Sequence, residues 1–317
     1  MKVAIVGATG LVGKKIFEQL KDKNIELVLY ASKRSKGKEI CGQKVKVLSI
    51  LSVKKVDFAI FSAGSEVSKK YAFFFAKRGA IVIDNSSAFR QDENIPLVVP
   101  EINFEKISNK TKIIANPNCS TIQIVLVLFY LSQIAKIKRV VISTYQSASG
   151  AGEKGIFDLE NETTLKIAQV LKDDLVPQIG NFANNGYSEE ENKMIFEIQK
   201  ILGKKINITA TAVRVPIHFC HGASVNVEFE EQFNLQDVFD KLENAKGVVL
   251  CDNLDKNIYP LCKNAVQSKN VFVGRIRRDF SVKSGLNFWV VADNLYKGAS
   301  TNAIQIMQEI INQGAKK

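Results

Sequence analysis

Apolar positions along this chain follow two different rhythms. Through roughly the first 115 residues, short unbroken apolar runs at 2–6, 27–30, 58–62, 81–84 and 113–115 read as buried strands. Between them, 11–20 and 65–78 carry apolar residues three and four apart, the spacing of one helix face. Strands alternating with helices of that length predict βαβ units and a parallel sheet. The middle of the chain changes character: 139–147 and 209–230 are long β-rich runs, separated by helical segments near 155–171 and at 189–202. Long strands with short connections predict a mixed or antiparallel sheet in a second domain of α+β type. From 301 to 312 the pattern is helical again and is placed to pack back on the first domain.

The first strand runs directly into Gly7, Gly10 and Gly13, which open the helix ending at Leu20. Glycines there let the backbone turn tightly and approach a pyrophosphate, whose charge sits against the helix N-terminus. The loop, with Thr9, Leu11 and Val12 between and beside its glycines, predicts a Rossmann-like dinucleotide-binding domain. An NAD-selective site would end its second strand on Asp or Glu to hold the ribose 2′-hydroxyl. Here the strand ends in Ser32-Lys33-Arg34-Ser35. Arg34 and the hydroxyl of Ser35 suit a 2′-phosphate, so NADP is the expected cofactor.

Composition narrows the class. With 46% apolar residues in 317, the chain has enough apolar surface to order its backbone. The formal net charge of +12 raises the possibility of nucleic acid or an anionic membrane. The lysines, however, are scattered, the densest cluster (Arg275-Ile276-Arg277-Arg278) is followed at once by Asp279, and no basic run is interleaved with aromatics. Neither nucleic acid nor membrane is an expected partner. The longest apolar stretch is eight residues, 124–131, far below the ~20 that span a bilayer, and the apolar start of the chain is too short for a secretory signal. Five cysteines, none in a C-x-x-C pair, predict neither a metal site nor a disulfide framework, and a cytoplasmic location is expected.

The segment Asn116-Pro117-Asn118-Cys119 precedes the apolar run 122–131. Pro and Asn start helices, so Cys119 falls at a helix N-terminus, where the dipole favours thiolate. Cys119 is the predicted nucleophile. The two histidines, His218 and His221, share a β-rich run with Arg214. Strict alternation puts Arg214 and His221 on opposite faces. Either the strand is broken between 216 and 221, with Gly222 marking a bend, or one of the two lies outside the site. His218 reads as a core-facing, hydrogen-bonded histidine.

GATGLVG (7–13), DNSSAFR (84–90), VPEIN (99–103), NPNCST (116–121), QSASGAG (146–152), RVPI (214–217), HG (221–222) and VADNL (291–295) occur in this order. Together they resemble the bacterial aspartate-semialdehyde dehydrogenases over nearly the whole chain. The resemblance implies an α/β enzyme with an NADP-binding domain at 1–118 and 297–317, and an inserted catalytic and dimerisation domain at 119–296. It implies NADPH-dependent reduction of L-aspartyl-4-phosphate to L-aspartate 4-semialdehyde and phosphate by a homodimer, in lysine, threonine and methionine biosynthesis. Cys119 would form the thioester, His221 would be the general acid/base, and Gln146 would orient the carbonyl. Arg214 would bind the α-carboxylate, Glu190 the ammonium, and Lys193 with Arg90 the phosphate. The run Glu189-Glu190-Glu191 leaves the register of that acidic residue open by one position. Asn294 would meet the nicotinamide region, and Ser62, Ala63 and Gly64 the adenine–ribose side. Tyr296 stands where the family often has Arg. The alternative is another NADP-dependent acyl-phosphate reductase, such as an N-acetyl-glutamyl-phosphate reductase.

Overall fold

The structure, a computed structural model, describes residues 1–314. The chain divides into two compact units: Met1–Asn118 with the segment that starts at Ala299, and Cys119–Gly298.

In the first unit, β1 (Lys2–Val6), β2 (Glu26–Ala31), β3 (Lys46–Val47), β4 (Phe58–Phe61), β5 (Ile81–Asp84) and β6 (Ile113–Ala115) form one sheet. The order is β3-β2-β1-β4-β5-β6, and every neighbouring pair is parallel. Such a sheet is covered on both faces, which is why β1 and β4 are near-continuous apolar runs. Helix α1 (Leu11–Leu20) turns Ile16, Phe17 and Leu20 onto it, and α2 (Ser65–Lys77) buries Ala72 and Phe75. The C-terminal helix Thr301–Gly314 adds Ala303, Ile304, Ile306 and Met307 to the same core as Val3, Ile5 and Ile60. The strand order reverses direction between β1 and β4, the crevice where open α/β sheets bind ligands.

The second unit holds a mixed sheet. Its strands are β7 (Ile137–Gln146), β8 (Asn207–Arg214), β9 (His221–Phe229), β10 (Val248–Leu250), β11 (Val271–Asp279) and β12 (Gly285–Ala292), in the order β8-β7-β9-β12-β11-β10. β8 and β7 pair in parallel, as do β10 and β11, and the other pairs are antiparallel. Helix α3 (Cys119–Leu131) is buried almost all round, which its uniformly apolar sequence requires.

Of two sequence readings, one alternative holds and one expectation changes here. The run 209–230 is two strands, in line with the break left open between 216 and 221, whereas the segment near 155–171 is helical only over α4 (Glu153–Asn161). Glu162 adopts φ +55° and stops that helix. The apolar spacing beyond it has another cause: Ile167 and Leu171 plug a small core with Ala148 and Val176 from loop positions.

Candidate active site

Three side chains singled out by the sequence fall on one register line of the second unit's sheet. Arg214, which ends β8, is opposite Gln146, which ends β7, and Gln146 is opposite His221, which begins β9. Because β9 runs against β7 while β8 runs with it, the turn 215–220 reverses the chain and returns His221 to the level of Arg214. Alternation along a single strand therefore does not apply. Cys220 carries the last step of this reversal at φ +69°. Its N–H donates to Asn294 Oδ1 at 3.0 Å. The bend that the sequence places at Gly222 is thus at 215–220. Gly222 lies inside β9, where a Cβ would come within 2.5 Å of the Trp289 ring. His218 is corrected too: it is exposed, with Nε2 3.3 Å from Glu160 Oε1, because the reversing turn carries it outward.

His221 is fully buried. Its Nδ1 accepts from the Ser147 N–H at 3.0 Å and lies 3.1 Å from the Ser147 hydroxyl. Nε2 has no hydrogen-bond partner among the described residues. Burial, reinforced by the Arg214 guanidinium, pushes its pKa down to about 3 against a weaker opposing influence of the Cys220 backbone, so the ring is neutral near pH 7. Arg214 is buried as well, and donates to the Ser147 carbonyl at 2.7 Å. Burial lowers its pKa, while Glu190 and the Cys119 sulfur pull the other way. The Cys119 sulfur is thus within electrostatic reach of Arg214. A Cβ at Gly150 would come within 2.6 Å of an Arg214 terminal nitrogen and 3.1 Å of His221 Nε2, so Gly150 keeps open the space both groups face.

Helix α5 (Glu189–Leu202) decides the register of the acidic run. Glu191 closes a capping box with Ser188 and accepts from the Ala212 N–H at 2.8 Å. Glu189 points to the surface and pairs with Lys193 at 3.6 Å. Glu190 is buried and accepts from Gln146 Nε2 at 3.2 Å. Lys193 and Arg214 line a cavity of about 380 Å³, walled also by Lys166 and Ile167. Those two loop residues are held by buried Asp158, whose carboxylate accepts from Thr163 and from the N–H groups of Leu165, Lys166 and Ile167.

Cys119 is the first residue of α3 and is half-buried. A Cβ at Gly298 would come within 2.8 Å of Cys119 Cβ, so that glycine lets the chain pass the cysteine. Cys220 is a different kind of thiol, its pKa raised by burial and then by Asp293 and Cys262. Asn294 bonds to Ser147, Ser149 and Cys220. Ser147, Ser149 and Gly150 lie in QSASGAG, yet no periodicity marks them as more than loop.

In the first unit, Gly7, Thr9, Gly10, Ser32, Ser62 and Ala63 line a cavity of about 440 Å³ at the β1–β4 crevice, with Leu48, Val67 and Tyr71. Gly7 sits at φ +88°, and a Cβ on it would come within 2.3 Å of the Ser62 carbonyl. At Gly13 a Cβ would meet the Gly7 carbonyl at 2.1 Å, so that glycine seats the helix on the loop. Leu11 and Val12 begin α1, and Gly64 precedes α2 at φ +86°. Ser35 is buried with its hydroxyl 3.2 Å from that of Thr9, while Arg34 is exposed on the same turn. A backbone kept free of Cβ atoms at the head of a helix, beside a mostly apolar cavity, fits a dinucleotide. Arg90 is also in this unit, buried, donating to the carbonyls of Asn116 at 2.9 Å and Asn85 at 2.7 Å.

Among the described residues no helix is long and apolar enough to cross a membrane. Residues 2–110 match the family model described as "Semialdehyde dehydrogenase, NAD binding domain". Residues 128–297 match "Semialdehyde dehydrogenase, dimerisation domain". The aspartate-semialdehyde dehydrogenase of Aquifex aeolicus is 45% identical, over 99% of this chain and 98% of that protein. The Bacillus subtilis enzyme of the same name is 42% identical, over 98% and 97%. A crystal structure of aspartate semialdehyde dehydrogenase II complexed with ASA from Vibrio cholerae superposes with a TM-score of 0.92 at 41% identity, covering 98% of both chains. With the glycine loop, the Arg214–Gln146–His221 row and the helix-terminal Cys119 in place, these matches show that the chain is an oxidoreductase belonging to the aspartate-semialdehyde dehydrogenase family.

Proposed function

We propose that the chain reduces L-aspartyl-4-phosphate to L-aspartate 4-semialdehyde, with NADPH as reductant and Cys119 as the nucleophile that carries the aspartyl group as a thioester. The observation that carries this reading is the Arg214–Gln146–His221 row, with buried Glu190 bonded to Gln146. An amino-acid substrate presents a carboxylate and an ammonium at fixed separation. The Arg214 fork matches the carboxylate bidentately, and Glu190 supplies a buried negative charge for the ammonium. An N-acetylated substrate has no ammonium and would leave that charge uncompensated, which argues against the N-acetyl-glutamyl-phosphate alternative.

Gln146 orients the reacting carbonyl, and Lys193 in the polar cavity receives phosphate. Arg90 is assigned to phosphate on its DNSSAFR motif. A thioester accepts hydride more readily than a carboxylate, which is the reason for a covalent route; bound NADPH supplies that hydride. Preference for NADP rests on Ser32–Ser35, which offers Lys33, Arg34 and two hydroxyls and no carboxylate. The enzyme works as a homodimer through its second unit, in keeping with the description of the family model that matches there.

The test is reduction of NADP by L-aspartate 4-semialdehyde, followed with and without inorganic phosphate. Strictly phosphate-dependent turnover that is lost in a folded Cys119→Ala variant is expected. Turnover without phosphate, or near-normal turnover in Cys119→Ala, overturns the reading.

A further inference from the structure

We propose that Lys166 is a phosphate-binding residue of this enzyme, supplying the uncompensated positive charge in the cavity that it shares with Lys193 and Arg214. The proposal rests on the reaction given under Proposed function and adds a residue to it.

The charge balance of the cavity of about 380 Å³ decides the matter. Lys166, Lys193 and Arg214 bring three positive charges to its wall, and Glu189 brings a negative one. In the proposed reaction Arg214 is taken by the substrate carboxylate, which leaves Lys193 for phosphate. Lys193 is already engaged, its Nζ lying 3.6 Å from Glu189 Oε2. Glu189 is in turn held where it is. The Asn181 side-chain amide donates to its Oε1 at 3.3 Å. Gly180 sits at φ +82°, and a Cβ there would come within 2.9 Å of Glu189 Cβ and 3.0 Å of its Oε2, so bare backbone makes room for the carboxylate. A phosphate group close to doubly charged at pH 7 would find little net charge in the Lys193–Glu189 pair alone. Lys166 changes that sum, since its ammonium makes no ion pair among the described residues.

The placement of Lys166 sets it apart from other exposed lysines. Its side chain is exposed, but its backbone is fixed. The buried Asp158 carboxylate accepts from the Lys166 N–H at 2.7 Å, from those of Leu165 and Ile167 at 2.8 and 2.9 Å, and from the Thr163 hydroxyl at 2.6 Å. The next residue, Ile167, is buried with Ala148, Leu171 and Val176. Ion pairs at a surface are weakened by the entropy of ordering both partners. Here the main chain is ordered beforehand, and only the lysine side chain has to settle on the phosphate.

Phosphate needs that charge in both directions of the reaction. As the Cys119 sulfur bonds to the acyl carbon, the C–O bond to phosphate breaks and its electron pair leaves on the phosphate oxygen. In reverse, a phosphate oxygen adds to the thioester carbon, the C–S bond breaks and the pair returns to sulfur. Lys166 meets the group that leaves or enters, so its removal is read in the KM for phosphate.

The test is steady-state kinetics of the full-length enzyme as NADP oxidises L-aspartate 4-semialdehyde in the presence of phosphate. Lys166→Gln is expected to raise the KM for phosphate about fivefold, the upper end for an exposed ion pair, with the KM values for aldehyde and NADP nearly unchanged. Lys166→Arg is expected to recover most of that loss. Added salt should raise the phosphate KM less in Lys166→Gln than in the unmutated enzyme. Glu189→Gln, which removes the opposing charge, is expected to lower it. An unchanged phosphate KM in Lys166→Gln, an equal rise in the KM for NADP, or no recovery in Lys166→Arg overturns the proposal. ³¹P NMR titration of inorganic phosphate into the NADP-saturated enzyme reads the same cavity without turnover. Weaker binding by Lys166→Gln is expected there, and equal binding overturns the assignment. Absence of phosphate-dependent turnover in the unmutated enzyme would overturn the underlying reaction instead, while the binding comparison still decides the part of Lys166.

Discussion

A methyl group at residue 150 is the smallest change that tests the assembled site. Gly150→Ala puts a Cβ within 2.6 Å of an Arg214 terminal nitrogen and 3.0 Å of His221 Cε1, so one or both must move. A displacement near 1 Å of a positioning group costs on the order of 10²-fold in rate. The expected result is a fall of that order in kcat/KM with an unchanged far-UV CD spectrum; near-normal kinetics would place the reacting carbonyl elsewhere. Arg214→Lys is expected to lose a similar factor, chiefly in KM, because a point charge cannot copy a bidentate fork. His221 also leaves a signature in stability. Its folded pKa of about 3 lies below the ordinary 6.5, so the unfolded state takes up a proton first as pH falls. Its contribution is whole above about 6.5 and is lost toward pH 3, at up to ~1.4 kcal/mol per pH unit. Denaturant titrations across that window should show a shallower slope for His221→Gln than for the unmutated protein. Cys119, Arg214 and His221 were legible in the sequence because residue type announces chemistry. Ser147 was not, since its part is played by a backbone N–H that every residue but proline carries.

Elements place these groups, and two caps do most of the placing. The Ser188–Glu191 capping box starts α5 one residue before Glu190, which fixes the face on which Glu190 meets Gln146. Ser188→Ala removes the acceptor for one helix N–H and is expected to cost about 1 kcal/mol, with a rise in KM as Glu190 loosens. An unchanged KM alongside the stability loss would separate the cap from the site. Asp158 plays the corresponding part for the loop 163–167. Burial alone would raise its pKa, but the hydrogen bonds from Thr163 and three backbone N–H groups outweigh burial and hold it below the usual carboxylate range. Its stabilisation is therefore present above the ordinary value of 3.8 and lost as pH falls below it. The parallel-sheet strands and α1 were legible because uninterrupted apolar runs and helical periodicity have one structural solution in a βαβ unit. The segment after Asn161 was misread because Ile167 and Leu171 enter a core from a loop while keeping a helix-like spacing. The reversal at 215–220 was open in the sequence as a break between 216 and 221, but its last step falls on a left-handed cysteine and not on Gly222.

Across the whole molecule, the excess of +12 no longer calls for a polyanion. Arg214 and Lys193 line the cavity of about 380 Å³, Arg34 is exposed on the turn after β2, and many lysines are exposed singles and pairs. The division of the chain into two units has a sharper consequence. The C-terminal helix returns, after the entire second unit, to complete the core of the first, where Ile306 is fully buried with Ala303 and Met307. Asn302 donates to Asn116 Oδ1 at 2.7 Å and to the Val98 carbonyl, so this helix also braces the segment that leads to Cys119. Ile306→Ala should therefore cost about 2–5 kcal/mol of the nucleotide-binding unit's stability. A ligand that binds only the folded unit adds RT ln(1 + [L]/Kd) to that stability. NADP titrated into a thermal unfolding experiment thus marks the transition belonging to the first unit, and Ile306→Ala is expected to lower that transition and to be offset by added NADP. If the substitution instead lowers a transition that NADP leaves untouched, the C-terminal helix is stabilising the second unit, and the core assignment fails.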